Sequence, residues 1–182
     1  MADQNVAAAE DWLAKIDPQQ AEALKRNAAI VERVGGPGET IGEIRDSADA
    51  ARRIWNEGGP EMAVQSDVSV PGPYRDVPMR LYKANVAPGL PVFVYLHGGG
   101  FKLGNQLSND RQMRELARVW DGAVISSDYV HVPEHVFPDP VTEVTAVVEW
   151  LADNGADWDL DGDAIVVGGA SAGASVAFGV AF

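Results

Sequence analysis

The stretch Ala164-Ile165-Val166-Val167-Gly168-Gly169-Ala170-Ser171-Ala172-Gly173 decides the fold. An apolar run typical of a β-strand, residues 164–168, leads directly into a Gly-x-Ser-x-Gly pentapeptide. In a turn between a strand and a helix, the two glycines let the backbone bend sharply without Cβ clashes. Such a bend lifts the Ser171 hydroxyl above the edge of a sheet and places it near the N-terminus of the next helix. Ser171 is therefore the candidate nucleophile of this sequence.

A second glycine-rich segment, His97-Gly98-Gly99-Gly100-Phe101, follows the nearly continuous apolar run 92–96. An apolar run without alternation is typical of a strand buried on both faces of a mainly parallel sheet. A glycine run after such a strand can turn backbone N–H groups into a site. There these groups would join the N–H of Ala172 in a cradle of three donors for the oxyanion of an acyl-transfer intermediate.

A third segment, residues 127–138, reads S-D-Y-V-H-V-P-E-H-V-F-P. Together with the two glycine motifs that flank it, this segment resembles the hormone-sensitive-lipase-like branch of the α/β-hydrolase fold, which includes bacterial carboxylesterases. The branch carries D-Y-R-L-A-P-E-H-P-F-P here, between the fourth strand and the next helix. The three motifs occur in the order found in the branch, and the resemblance covers essentially the whole chain.

The resemblance implies hydrolysis of carboxylic esters by a serine nucleophile. The implied partner is a small-molecule ester, and no cofactor is implied. Carried over by position, Ser171 is the nucleophile, while His97 and Gly98 shape the glycine loop. The implied oxyanion donors are the backbone N–H groups of Gly99, Gly100 and Ala172.

The chain departs from the pattern of this branch at two places. At the elbow the branch reads G-D-S-A-G-G, whereas Ala170 stands here in place of the carboxylate and Ala174 in place of the last glycine. The first change removes a polar support before the serine, and the second adds a methyl group where close helix packing prefers glycine. Val130 and His131 replace the arginine and leucine of D-Y-R-L. We therefore expect an arginine contact to be lost.

Only 11 residues follow Ser171, whereas the family order is serine, then Asp or Glu, then His, over roughly another hundred residues. All three histidines, His97, His131 and His135, precede Ser171. A serine hydroxyl without an adjacent base is a weak nucleophile, so we expect this chain alone to be nearly inert. The sequence is interpreted as the N-terminal part of a hydrolase, truncated after the nucleophile elbow. The alternatives are a catalytically inert truncated hydrolase and a non-catalytic module that binds a small molecule or a partner.

The hydrophobic pattern predicts an α/β fold with a helical N-terminal part. Helical spacing covers residues 6–33, with a second helix beginning at Asp17-Pro18, and then residues 40–56. By resemblance, residues 1–60 are the N-terminal part of the family's cap, and residues 61–182 are the N-terminal part of the hydrolase core. Strands are predicted at 64–70, 77–83, 92–96, 123–128 and 164–168, and helices at 109–120, 139–153 and 174–182.

The order of these elements predicts how the strands pair. The turn Pro71-Gly72-Pro73 predicts an antiparallel hairpin of the first two strands. The later alternation of strands and helices predicts a parallel sheet. We expect the fifth strand and the last helix to lack the partners that further strands of the family sheet supply.

Composition limits the classes of function. The chain is 46% hydrophobic and 23% charged, which fits a globular domain with a core. Its formal net charge of −13 repels phosphate backbones and anionic membrane surfaces, so no nucleic-acid partner is expected. The sequence has no apolar run long enough to span a membrane and no secretory signal at its start, so a cytoplasmic location is expected. Homo-oligomerisation is left open.

No metal site is predicted. The sequence has no cysteine, which excludes thiolate ligands. The acidic segment 157–163 resembles the start of a calcium loop, but Gly168 stands where the bidentate glutamate belongs. We interpret this segment as a solvated loop before the fifth strand. His131 and His135 lie four residues apart without a third ligand in view, and we expect them to stabilise their loop. Residues 168–173 have the glycine spacing of a P-loop, but Ala174 replaces the required lysine.

Overall fold

The computed structural model describes residues 12–182, which form two compact units, the first ending at Ala51 and the second comprising Arg52–Phe182. The predicted helix over residues 6–16 falls mostly on residues 1–11, outside the described residues. The predicted boundary between cap and core at residue 60 stays a prediction.

The first unit is built from two helices, α1 (Pro18–Arg33) and α2 (Ile41–Trp55), the second of which continues into the second unit. The predicted start of α1 is confirmed, because the Asp17 carboxylate accepts the Gln19 N–H at 2.8 Å and Pro18 occupies the first turn. At the start of α2, Glu43 accepts the N–H of Thr40 at 2.9 Å, and its own N–H donates to the Thr40 hydroxyl at 3.3 Å. This reciprocal pair is a capping box, and the backbone N–H groups hold the pKa of Glu43 below its usual value.

The second unit contains five strands, three α-helices and a short 3₁₀-helix among the described residues. In chain order they are β1 (Val64–Pro71), β2 (Asp76–Lys83), β3 (Leu90–Leu96), α3 (Asp110–Val119), β4 (Ala123–Ser127), α4 (Asp139–Asn154), the 3₁₀-helix Gly155–Trp158, β5 (Leu160–Gly169) and α5 (Ala172–Ala181). All eight predicted elements of this unit are present.

The start of β5 differs from the prediction. The acidic segment after Asp159 was expected to be a loop, but β5 already begins at Leu160, which pairs with Leu90. A register irregularity between Leu90 and Val92 separates this first pair from the rest of the strand. The acidic residues obscured the strand because the fully apolar pattern begins only at Ala164.

The sheet has the strand order β1-β2-β4-β3-β5. The predicted hairpin is confirmed by antiparallel pairing of β1 with β2, and β2 also pairs antiparallel with β4. The predicted parallel part is confirmed, since β3 is parallel to both β4 and β5. The carboxyl ends of these three strands, Leu96, Ser127 and Gly169, are in register at one edge of the sheet. The segments that follow them are thereby brought together, as in other open parallel sheets.

The helices cover the sheet on two faces. The larger core packs residues of α4 and α5 against one face, and the smaller core packs residues of α3 against the other. In β3, Val92, Val94 and Leu96 are fully buried in the larger core, whereas Phe93 and Tyr95 are only partly buried beside the smaller one. The prediction that β3 is buried on both faces is therefore wrong for its second face. There α3 packs on β2 and β4.

Among residues 12–182, β5 has one neighbouring strand, β3. Large apolar side chains are exposed on β5, on α5 and directly after it: Val166 is 47% exposed, Phe178 67% and Phe182 93%. Between residues 12 and 182, no helix has both the length and the apolar run that crossing a membrane requires.

Candidate active site

Ser171 occupies a strained turn between β5 and α5. Its backbone angles are φ 51° and ψ −118°, in a region that non-glycine residues rarely adopt. Conformations of this kind cost roughly 1–3 kcal/mol and persist only where the surrounding structure fixes them. The side chain is exposed. The strain therefore presents the Ser171 hydroxyl at the open end of the sheet.

The carbonyl of Leu96, the last residue of β3, fixes this turn. It accepts the N–H of Ala170 at 3.1 Å. It also lies so close to two glycines that a Cβ atom would stand 2.5 Å from it at Gly169 and 2.1 Å from it at Gly173. Real Cβ atoms are excluded at these distances, so both glycines of the pentapeptide are required by the close approach of β3.

The N-terminus of α5 begins directly after Ser171. The Ser171 carbonyl accepts the N–H of Ala174 at 3.0 Å and that of Ser175 at 3.2 Å. Within the part of the chain that the structure describes, the N–H of Ala172 has no acceptor among these turn and cap bonds. An unpaired N–H at the positive end of a helix is suited to binding an anion.

The glycine loop after β3 lies against the elbow. A Cβ atom at Gly98 would stand 3.3 Å from the Ser171 Cβ. Gly99 has φ 150°, and a Cβ there would stand 1.9 Å from the carbonyl oxygen of Leu103. Gly100 has φ 61° and faces open space. Among residues 12–182, the N–H groups of Gly99 and Gly100 also donate to no backbone acceptor outside the regular elements. The structure thus places the glycine loop against Ser171 through Gly98, and Ala172 follows Ser171 directly.

His97 packs in the interior next to the glycine loop. Its ring is fully buried and stacks on Tyr129 at 4.7 Å between centroids. The Tyr129 hydroxyl donates to the His97 carbonyl at 2.8 Å, and burial raises the pKa of that phenol. The His97 Nδ1 lies 3.2 Å from the Gly98 carbonyl oxygen. His97 is therefore a buried support of the glycine loop.

Two arginines that the sequence analysis missed hold the loops around the site. Arg52 donates to the carbonyl of Gly98 at 3.3 Å. Arg75, in the turn between β1 and β2, donates to the Asp128 carbonyl at 3.0 Å and forms ion pairs with Asp128 at 3.3 Å and Glu143 at 3.1 Å. Burial lowers the pKa of Arg75, but the bond to Glu143 and the two carboxylate charges outweigh it, so the net shift is upward.

Arg75 supplies a guanidinium beside the segment where an arginine contact was expected to be lost. The fully buried Glu143 carboxylate joins it to that segment by accepting the Val130 N–H at 2.7 Å. No sequence signal marks Arg75, because its partners lie 53 and 68 residues further along the chain.

We expect Glu143→Ala to lower the free energy of unfolding by about 3 kcal/mol. This is the lower end of the range for breaking a buried ion pair, since Arg75 stays partly exposed. Urea unfolding followed by circular dichroism measures the change. Glu149→Ala, at an exposed position of the same helix, is the control and should change stability by less than about 0.5 kcal/mol. Equal effects of the two substitutions would contradict the role assigned to Glu143.

An apolar cavity of about 300 Å³ lies within the second unit, close to the elbow. Ser175, one turn after Ser171 on α5, contributes to its wall. Its apolar lining includes Phe101, Val132, Phe137, Val141 and Val176. A small apolar cavity of this kind can hold the apolar part of a small molecule.

None of the histidines is bonded to Ser171 among the hydrogen bonds of the described residues. His97 is buried beneath the glycine loop, and His131 lies edge-on to its ring at 5.3 Å. His135 bonds the Asp139 carboxylate at 3.1 Å. The Tyr74 hydroxyl and His135 together hold the pKa of Asp139 below its usual value. The predicted loop-stabilising role of His135 agrees with this bond.

Comparison with known proteins finds similarity to esterases. Residues 93–182 match the family described as the alpha/beta hydrolase fold. An acetyl esterase of Salmonella paratyphi B is 40% identical over 126 residues, which is 69% of this chain and 38% of the relative. The chain therefore spans well under half of that curated relative.

Solved structures give the same assignment. An esterase of Pyrobaculum calidifontis superposes with a TM-score of 0.78 at 30% identity, covering 89% of this chain and 50% of its own. The ester hydrolase EH1AB1 from the Lake Arreo metagenome, solved with a bipyridine phosphonate derivative, superposes with a TM-score of 0.77 at 32% identity, covering 87% and 52%. The motifs, the sheet and these relatives agree, and the chain belongs to the hormone-sensitive-lipase-like, carboxylesterase branch of the α/β-hydrolase fold.

Proposed function

We propose that the protein is a carboxylic-ester hydrolase in which Ser171 is the nucleophile. The observation that carries the proposal is the strained Ser171 backbone at the N-terminus of α5, directly beside the loop Gly98–Gly100. The N–H groups beside the exposed hydroxyl have no acceptor among the turn and cap bonds of the described residues. The names of the esterase relatives support the same reaction class.

In the proposed reaction, the Ser171 Oγ forms a bond to the ester carbonyl carbon and gives up its proton to a base. The carbonyl oxygen becomes an oxyanion, stabilised by the N–H groups of Gly99, Gly100 and Ala172. The bond to the alcohol oxygen then breaks, and the alcohol leaves with a proton. Water attacks the remaining acyl-serine, releases the carboxylic acid and restores the hydroxyl.

The base and its orienting acid are proposed to lie outside these 182 residues. Two observations support this. The last histidine of the sequence is His135, which precedes Ser171. The ring of His97 contacts the Gly98 carbonyl, and the ring of His135 contacts the Asp139 carboxylate. Without a base, the serine hydroxyl keeps its proton and attacks slowly. The chain by itself is therefore proposed to carry the nucleophile and the oxyanion donors but to hydrolyse esters no faster than a chain without the Ser171 hydroxyl.

A short acyl group fits the proposed site. The apolar cavity beside the elbow, about 300 Å³, is at the small end of the range for ligand pockets, which is roughly 300–1,000 Å³. The acetyl esterase relative is named for a two-carbon acyl group. Residues 1–60 are proposed to be part of the cap, on the resemblance and on the two helices α1 and α2.

Hydrolysis of p-nitrophenyl acetate with added imidazole tests the proposal. Free imidazole replaces a tethered base only weakly, because tethering is worth very large effective molarities. We expect the wild-type chain and the Ser171→Ala chain to be equally slow in buffer. With imidazole at up to about 0.2 M as the substitute base, the wild type should gain an additional rate that rises with imidazole concentration.

The Ser171→Ala chain in the same imidazole series measures the hydrolysis that imidazole causes unaided. Circular dichroism confirms that both chains are folded. Identical rates at every imidazole concentration would refute Ser171 as the nucleophile. A serine-dependent rate without imidazole would instead refute the proposal that the base lies outside the chain.

A further inference from the structure

Three side chains near the glycine loop form a cluster of possible metal ligands. One ring nitrogen of His97, one carboxylate oxygen of Asp128 and one ring nitrogen of His131 all lie within 4.8 Å of one another. They come from the segments after β3 and β4, which the parallel pairing of these strands brings side by side. This cluster, His97–Asp128–His131, is distinct from the proposed nucleophile and oxyanion donors.

Two buried atoms of this cluster, His97 Nε2 and Asp128 Oδ1, have no hydrogen-bond partner. His97 is fully buried, and its Nδ1 lies beside the Gly98 carbonyl at 3.2 Å. A carbonyl oxygen only accepts hydrogen bonds, so in the neutral ring the proton is assigned to Nδ1, which leaves a lone pair on Nε2. This Nε2 faces Asp128 Oδ1 at 3.6 Å, and both atoms are buried without a hydrogen-bond partner. Two facing acceptors of this kind call for a cation between them.

The surroundings orient both groups as in metal sites. Metal-bound histidines generally donate their other ring N–H to a carbonyl or carboxylate, which is the arrangement of His97 and Gly98. Arg75 orients Asp128 by forming an ion pair with its Oδ2 at 3.3 Å, so that Oδ1 faces the cluster. His131 and Asp128 are only partly buried, so an ion can enter from solvent on their side.

We propose that His97, Asp128 and His131 bind a zinc ion that ties the glycine loop to the segment after β4. Two imidazoles and a carboxylate are a ligand set that Zn²⁺ prefers, and three protein ligands leave a fourth position for water. Zinc bonds of about 2.0–2.1 Å in a tetrahedron require ligand atoms roughly 3.4 Å apart. The pair His97–Asp128 already has 3.6 Å, and the partly exposed His131 ring can close the remaining gap.

Zinc titration of the chelator-treated chain tests this proposal. We expect one zinc ion to bind per chain with a dissociation constant of about 1 μM or below. Substituting Co²⁺ should give the visible absorption of a tetrahedral site with nitrogen and oxygen ligands. Bound zinc should also raise the midpoint of thermal unfolding, because the ion binds the folded chain.

His131→Gln is the decisive variant, because it removes a partly exposed ligand. It should weaken zinc binding by at least about 100-fold, beyond the loss that a supporting residue causes. His135→Gln is the matched control, since His135 lies in the same loop as His131, bonds Asp139 at the start of α4 and is not a member of the cluster. It should leave the zinc affinity unchanged.

Two results would overturn the proposal. One is a folded wild-type chain that binds no zinc at about 0.1 mM, far above the expected dissociation constant. The other is a His131→Gln chain that binds zinc as the wild type does, which would place the ion on surface carboxylates. Asp128→Asn, checked for folding by circular dichroism, gives a second ligand variant that should lose the cobalt spectrum.

Discussion

A Ser171→Ala chain should form no adduct with a short alkylboronic acid, whereas the wild-type chain should. Boron accepts the serine oxygen, a proton leaves, and the tetrahedral adduct carries a negative charge like the oxyanion of ester hydrolysis. Formation of this adduct is an equilibrium, so it does not depend on a general base for its final extent. Analogues of this kind bind roughly 10²–10⁸-fold more tightly than substrates when the site complements the transition state.

Boron NMR and calorimetric titration measure the adduct. We expect the tetrahedral boron signal to vanish in Ser171→Ala and the affinity to fall by at least about 100-fold. Ser69→Ala is the control, because Ser69 is an exposed serine of β1 outside the lining of the apolar cavity. It should keep the signal. A signal that persists without Ser171 would mean that another nucleophile captures the boronate.

Gly99→Ala should weaken the same adduct by about 100-fold or more, the effect expected when a donor to the oxyanion is lost. The added methyl group would stand 1.9 Å from the Leu103 carbonyl oxygen at a residue with φ 150°. The Gly99 carbonyl also accepts the N–H groups of Lys102 and Leu103, both at 3.1 Å. The clash must therefore move the loop and its N–H groups away from Ser171.

Gly89→Ala separates this effect from the general cost of replacing a glycine. Gly89 also has a positive φ, 66°, but its Cβ would face open space, and the residue precedes β3 far from the loop. This variant should lose roughly 1 kcal/mol of stability and no boronate affinity. Thermal unfolding shows whether each variant is folded at the assay temperature. Equal affinities of Gly99→Ala and wild type would contradict the oxyanion role of this loop.

Local patterns predicted the elbow and the sheet because their causes are local. Gly169 and Gly173 signal a sharp turn by themselves, and the apolar run before them signals the strand. The helix start at Asp17-Pro18 was predictable for the same reason, since the cap and the proline are adjacent in sequence. The hairpin followed from the prolines and glycine between β1 and β2.

Contacts between segments that are distant in the chain could not be predicted from the sequence. Arginines in turns are usually exposed to solvent, and only the pairing of β2 with β4 brings Arg75 to Asp128. His131 was grouped with His135 on spacing alone, whereas the fold places it beside His97. The first residues of β5 were hidden by alternating aspartates, which strand patterns disfavour.

The most direct test of the account is a crystal structure of the chain with a short alkylboronic acid. We expect a bond from boron to the Ser171 Oγ. We also expect one boronate oxygen within about 2.7–3.1 Å of the N–H nitrogens of Gly99, Gly100 and Ala172. A planar boronate, a bond to another residue, or boronate oxygens turned away from these three N–H groups would contradict it.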